Sequence, residues 1–170
     1  MNTPLVQLCA AVVMILLMSS GCSSPEDKKM NFLNRGKSLF EQNDYVRAKL
    51  EFKNALQIDP EYADAYFMLA QTAVKENDMQ TAYNMLKKTM ALAPENLPAR
   101  IDLGRLLLGA RAVAQAEEQA QFVLEKDPSN VKARLLKISV HFLNKEFDAG
   151  EKLLRELLAE KETLPEIYIM

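Results

Sequence analysis

Apolar residues return along this chain at steps of three and four, in short stretches broken by polar turns. Tyr66, Leu69, Ala70 and Ala73 share one helix face, and Met79, Ala82, Met85 and Leu86 share the next. The same rhythm predicts helices over 29–42, 45–58, 62–75, 79–92, 96–109, 113–126, 130–144 and 147–161. Asn43-Asp44 and Asn77-Asp78 lie in the turns of the first two pairs. Each aspartate is placed to cap the helix that follows, by accepting from free amides two or three residues on. Pro60, Pro94 and Pro128 stop the second helix of a pair, because proline lacks an amide hydrogen and holds the preceding residue extended.

Those three prolines stand 34 residues apart, and other positions keep the interval: Ala48, Ala82 and Ala116, and Gly36, Ala70 and Gly104. A fixed period of this kind predicts an all-α solenoid of helix-turn-helix units, each burying its apolar face against its neighbours. Small residues on both helices of a pair allow close approach, with Phe32, Tyr66, Phe52 and Leu86 filling the space beside them. The units occupy 29–62, 63–96, 97–130 and 131–163. The fourth departs from the pattern: Ile138 replaces the small residue, Gly150 replaces the alanine, and the proline comes late, at Pro165. Residues 164–170 are apolar to the last and read as the start of a further helix. A solenoid normally ends in a polar cap, so the expectation is either pairing of two chains there or, preferably, a longer protein.

Composition narrows the chemistry. Lys and Arg number 21 against 23 acidic residues, which leaves no concentrated basic face for nucleic acid. Both cysteines, Cys9 and Cys22, precede the repeats, so the repeats hold no disulfide and no cysteine-based metal site. His141, the sole histidine, has no nucleophile motif beside it, and Ser139 lies on another helix face. It reads as a packed or partly exposed residue. Glu117, Glu118, Glu160 and Glu162 read as solvated helix faces. No glycine-rich phosphate loop occurs. These features predict a protein with no catalytic residues, no cofactor, no metal and no small-molecule substrate.

The first residues are an address. An apolar run from Leu5 to Met18, interrupted at Gln7, is too short to span a bilayer and suits a secretory signal. Ser19-Ser20-Gly21-Cys22 follows and resembles a bacterial lipobox, which implies a signal peptide over 1–21 and a diacylglyceryl group on Cys22. Ser19 stands where that motif usually has leucine, and Met1 to Pro4 carry no Lys or Arg. An uncleaved anchor, or a signal cut near Gly21, is the other reading. Residues 22–28 read as a polar tether. Several acyl chains hold a protein to a membrane stably. Ser23, where aspartate would imply inner-membrane retention, implies the periplasmic face of the outer membrane.

The unit itself, KMNFLNRGKSLFEQNDYVRAKLEFKNALQIDPEY from Lys29, resembles the tetratricopeptide repeat. That family has a large residue at place four, small at eight and twenty, large at twenty-four, small at twenty-seven and proline at thirty-two. The first unit supplies Phe32, Gly36, Ala48, Phe52, Ala55 and Pro60; the second, Tyr66, Ala70, Ala82, Leu86, Thr89 and Pro94. The third supplies Gly104, Ala116, Ala120, Val123 and Pro128, with Arg100 at the large position. The resemblance implies a right-handed superhelix whose inner face is lined by the first helices. Place five then reads Leu33, Phe67, Ile101 and Leu135; place twelve, Phe40, Val74, Leu108 and Phe142; place nine, Lys37, Gln71, Arg105 and Ser139. Two apolar rows flank a polar to basic row, a surface for an amphipathic helix or an extended peptide with an acidic stripe. Some of the eight apolar residues are equally placed to be core. The family's carboxylate clamp is matched only at Asn34, and Asp102 stands where a basic residue would be expected.

The combined expectation is a non-enzymatic, lipid-anchored scaffold that binds envelope proteins or peptides in this groove, in pilus, outer-membrane or exopolysaccharide assembly. Residues 51–60, EFKNALQIDP, resemble the long repeat lipoprotein found with exopolysaccharide and PEP-CTERM sorting systems. A repeat region leading into an enzyme domain beyond residue 170 is the alternative.

Overall fold

The computed structural model describes residues 24–160. Eight helices follow one another in them: α1 (Pro25–Glu41), α2 (Tyr45–Ile58), α3 (Ala63–Lys75), α4 (Met79–Leu92), α5 (Leu97–Gly109), α6 (Val113–Lys126), α7 (Val131–Leu143) and α8 (Phe147–Glu160). In the first three pairs each odd helix packs most closely on the even helix after it, and every even helix also packs on the next odd one, α6 on α7 as closely as α7 on α8. This is the all-α solenoid that the 34-residue period predicts. Residues 1–23 and 161–170, and with them Cys22, Glu162 and the further helix expected at 164–170, lie outside the described residues.

One boundary differs from expectation: α1 begins at Pro25, inside the stretch 22–28 expected as polar tether, and not at residue 29. Ser24 accepts from the Asp27 amide at 3.0 Å, Asp27 accepts in turn from the Ser24 amide at 3.1 Å, and Pro25 opens the helix. This reciprocal capping box starts α1 before residue 29. Lys29 then ties the first turn to the end of α2: its Nζ lies 2.7 Å from Asp59 and 2.8 Å from Glu26, over the Tyr62 ring.

The turn inside every pair uses one residue in the left-handed region, Asn43, Asn77, Arg111 and Lys145, all with φ near 60°. Asparagine tolerates that conformation; Arg and Lys have no such local compensation. Asp44 and Asp78 cap α2 and α4 as expected, accepting from the Arg47 and Thr81 amides. Asn96 and Asn130 do the same for α5 and α7, whereas Ala112 leaves α6 without a side-chain cap.

Ala48, Ala82 and Ala116 are wholly buried, as are Phe52 and Leu86. The small residue at place eight has a more specific task than approach to these alanines. The space that a Cβ on Gly36 would need is taken by the Phe52 ring, and the corresponding space at Gly104 by Leu136 of the next repeat. In the fourth repeat the sizes are exchanged: Ile138 is wholly buried and Gly150 receives the Phe142 ring, whose Cε1 would lie 3.0 Å from an added Cβ. The pair therefore closes although its sequence departs from the others. Arg100 replaces the aromatic of place four by stacking on Phe122, 3.4 Å from the ring centroid, and donating to Gln119 and to the Pro94 carbonyl at 3.0 Å each. Its charge is thereby hydrogen-bonded while its plane fills the aromatic's position. At the far end Arg134 grips Glu160 with both terminal nitrogens, at 2.5 and 3.0 Å, so this glutamate is paired rather than only solvated.

Candidate functional site: the inner face

First helices of adjacent repeats approach one another directly, α1 with α3 and α5 with α7, while second helices make no comparable contact. The first helices are therefore on the inside of the curve. Along them run the three rows of residues expected to form the groove.

The structure divides those residues by depth. Leu33 (4% exposed), Ile101 (4%) and Leu135 (8%) are buried and belong to the packing between helices. They form the floor and are not available as contact surface: Leu33 packs with residues of α2 and α3, Ile101 with residues of α6 and α7, and Leu135 with Leu157 of α8. Phe67 is the exception, half-buried against the core of the second and third repeats. Phe40, Leu108 and Phe142 are also half-buried, each seated on a core cluster with part of the side chain open. Phe40 leans on Tyr45 and Phe142 on Phe147 at centroid distances of 5.4 and 6.4 Å. Val74 is 38% exposed.

The polar row is more open. Lys37 and Arg105 are exposed, and neither forms an ion pair among the described residues. Ser139 turns its hydroxyl onto its own helix, donating to the Leu135 carbonyl at 3.0 Å. Gln71 reaches across to the next repeat, where its Nε2 lies 3.5 Å from Asp102. Asp102, passed over as a site residue in the sequence, lines an open pocket of about 360 Å³ with Gln71, Ile101, Asn130 and Lys132. Burial pushes its carboxyl above the ordinary range, against smaller opposing effects of the Gln71 bond and the charges of Arg105 and Lys132. The only sequence signal was an acidic residue one place from an apolar row.

His141 is half-buried and its Nδ1 stands 2.6 Å from Glu146 Oε2 across the turn before α8. Among the described residues, no grouping of three His, Cys, Asp or Glu side chains is placed to hold a metal ion, and no helix is long and apolar enough to cross a membrane.

Helix pairs stacked into a curve, with an open inner face of mixed apolar and basic character, define a protein that presents a binding surface for other proteins. Profiles of the tetratricopeptide repeat match residues 39–80 and 73–121, and a second profile of that repeat matches 101–165. The chain belongs to the tetratricopeptide repeat family. No curated protein sequence matches it. Among solved structures, PilF of Pseudomonas aeruginosa superposes with a TM-score of 0.75 at 18% identity, over 85% of this chain and 66% of that one. YrrB, a repeat protein with an unusual peptide-binding site, gives 0.70 at 20% identity, over 81% and 72%. The first repeat domain of Spaghetti, bound to the HSP90 peptide SRMEEVD, gives 0.63 at 17% identity, over 71% and 94%. At these identities the likeness establishes the fold.

Proposed function

We propose that this chain is a non-enzymatic scaffold that holds a segment of a partner protein along its inner face. A lipid on Cys22 would tether it to the periplasmic face of the outer membrane, where it would serve pilus, outer-membrane or exopolysaccharide assembly. One observation carries the binding role: Lys37 and Arg105 are exposed and unpaired among the described residues, beside the partly open Phe40, Phe67 and Leu108. Half-buried aromatics on a rigid floor supply contact area at little entropic cost, and unpaired cations attract and orient an acidic stripe. The peptide in the Spaghetti domain, with two glutamates and an aspartate, is a ligand of that chemistry on the same fold. Support for the tether is the lipobox-like Ser19-Ser20-Gly21-Cys22 alone.

Capture of partners from detergent-solubilised envelope tests the first half of this reading. Arg105→Glu and Phe67→Ala, each verified to keep native helicity, should lose partners that the unaltered protein retains, and retention should weaken as salt rises. Equal recovery by all three proteins would move the binding surface elsewhere. For the second half, Cys22→Ala should shift the chain from the membrane to the soluble periplasmic fraction. A variant that stays in the membrane at unchanged mass would favour the uncleaved anchor.

A further inference from the structure

The pocket around Asp102 lies where the second, third and fourth repeats meet, lined by first helices and by Asn130, the N-cap of α7. Its position makes it part of the inner face. Its chemistry differs from the row beside it. Asp102 is a half-buried carboxylate that accepts from the neutral amide nitrogen of Gln71 at 3.5 Å, the outer limit of a hydrogen bond. Arg105 and Lys132 are near enough to influence it, yet no cation comes within ion-pair distance of it among the described residues. A carboxylate withdrawn from water without a cation or good donors is costly, and a ligand that supplies them recovers that cost.

Both neighbouring cations are themselves exposed, Lys132 among the residues lining the pocket and Arg105 on the same helix as Asp102. The local arrangement is thus one anion inside and two cations outside. In an extended peptide alternate side chains point the same way at a spacing of about 7 Å. A basic residue with acidic residues two places to either side would match that arrangement, its own charge inside and the others facing Arg105 and Lys132.

We propose that this pocket takes a lysine or arginine side chain from an otherwise acidic, extended segment of the partner, with Asp102 as the acceptor and Gln71 and Asn130 beside it. The inference rests on the inner face being the partner site, and it adds a charge reversal in the middle of what would otherwise be a uniformly anion-selecting surface.

The test uses the full chain in detergent and three fluorescein-labelled peptides, acetyl-Asp-Ala-Arg-Ala-Asp-amide and its variants with citrulline or glutamate at the centre. Fluorescence anisotropy reads the affinities. The arginine peptide should bind at least about tenfold more tightly than the citrulline peptide, a difference of about 1.4 kcal/mol. Asp102→Asn should erase that preference, and Asp102→Lys should transfer it to the glutamate peptide. Equal affinity for arginine and citrulline, persistence of the preference in Asp102→Asn, or no binding of any peptide would each overturn the proposal. Partner capture that still depends on Phe67 and Arg105 would then show that only this inference, and not the groove, has failed.

Discussion

Gly36 and Phe52 share one space. A Cβ added to Gly36 would stand 2.6 Å from Phe52 Cδ1 and closer still to its Cε1, and the ring, wholly buried, has nowhere to turn. The glycine is therefore a receptor for an aromatic on the second helix, and the closeness of α1 and α2 depends on it. Gly36→Ala should destabilise the fold by about 1–3 kcal/mol despite alanine's better helix propensity. Gly109, at the end of α5, has nothing within 4 Å of an added Cβ. Gly109→Ala should stabilise by about 0.5–1 kcal/mol through propensity and the lower entropy of the unfolded chain. Urea unfolding of the two variants should give opposite signs.

Ala82 occupies the small-residue place of the second repeat. It is wholly buried, whereas Ala91 on the same helix is exposed. Ala82→Leu forces three extra carbons into a filled interface and should cost about 1–3 kcal/mol. Ala91→Leu should change stability by under about 0.5 kcal/mol. Equal melting temperatures would contradict the assigned repeat phase.

The third repeat lacks the turn chemistry of the first two. Arg111 has φ 58° where Asn43 and Asn77 have 61°. Ala112, with φ −83° and ψ 62°, stands where Asp44 and Asp78 cap their helices from closely similar angles. Replacing the pair by Asn-Asp (Arg111→Asn with Ala112→Asp) should stabilise by about 1–2 kcal/mol, most of it from the new cap. The reverse change, Asp78→Ala, should cost about 1 kcal/mol. Thermal unfolding of the two proteins reads both effects.

Two aspartates should respond to acid in opposite directions. Asp59 is held below its ordinary 3.8 chiefly by its bond to Lys29 and then by the Glu61 amide. Its contribution is present above the unfolded value and is lost as pH falls through the lowered folded value. Asp102 is pushed above 3.8 by burial. Its ionisation opposes folding, so stability on its account is greatest in acid and is lost as pH rises through the raised value. Asp59→Asn should therefore destabilise at neutral pH and Asp102→Asn should stabilise there. Both differences from the unaltered protein should shrink toward about pH 3, where Asp102 in particular is protonated in both states. Denaturant midpoints at the two pH values check the signs.

The sequence alone determined the helices, their pairing and the repeat, because each rests on local rules. Three- and four-residue spacing selects a helix, an asparagine-aspartate turn ends one and caps the next, and a proline stops the second. Periodicity then fixes which face is buried, as Ala48, Ala82 and Ala116 show by being wholly buried. Even the start of α1 was legible in principle, since Ser24, Pro25 and Asp27 spell a capping box that a reading of 22–28 as polar tether overlooked.

Only the tertiary structure decided depth along the inner face. Leu33, Ile101 and Leu135 share their place with Phe67, yet three are floor and one is partly open, because depth depends on the neighbouring helices and not on position within the repeat. The same holds for compensation across space. Gly150 making room for Phe142 where Ile138 is large, Arg100 stacking on Phe122, and Gln71 reaching Asp102 across a repeat boundary all join residues that no local pattern connects. A repeat written in the chain sets the backbone; which side chains meet is set by how successive copies, with different side chains, settle on one another.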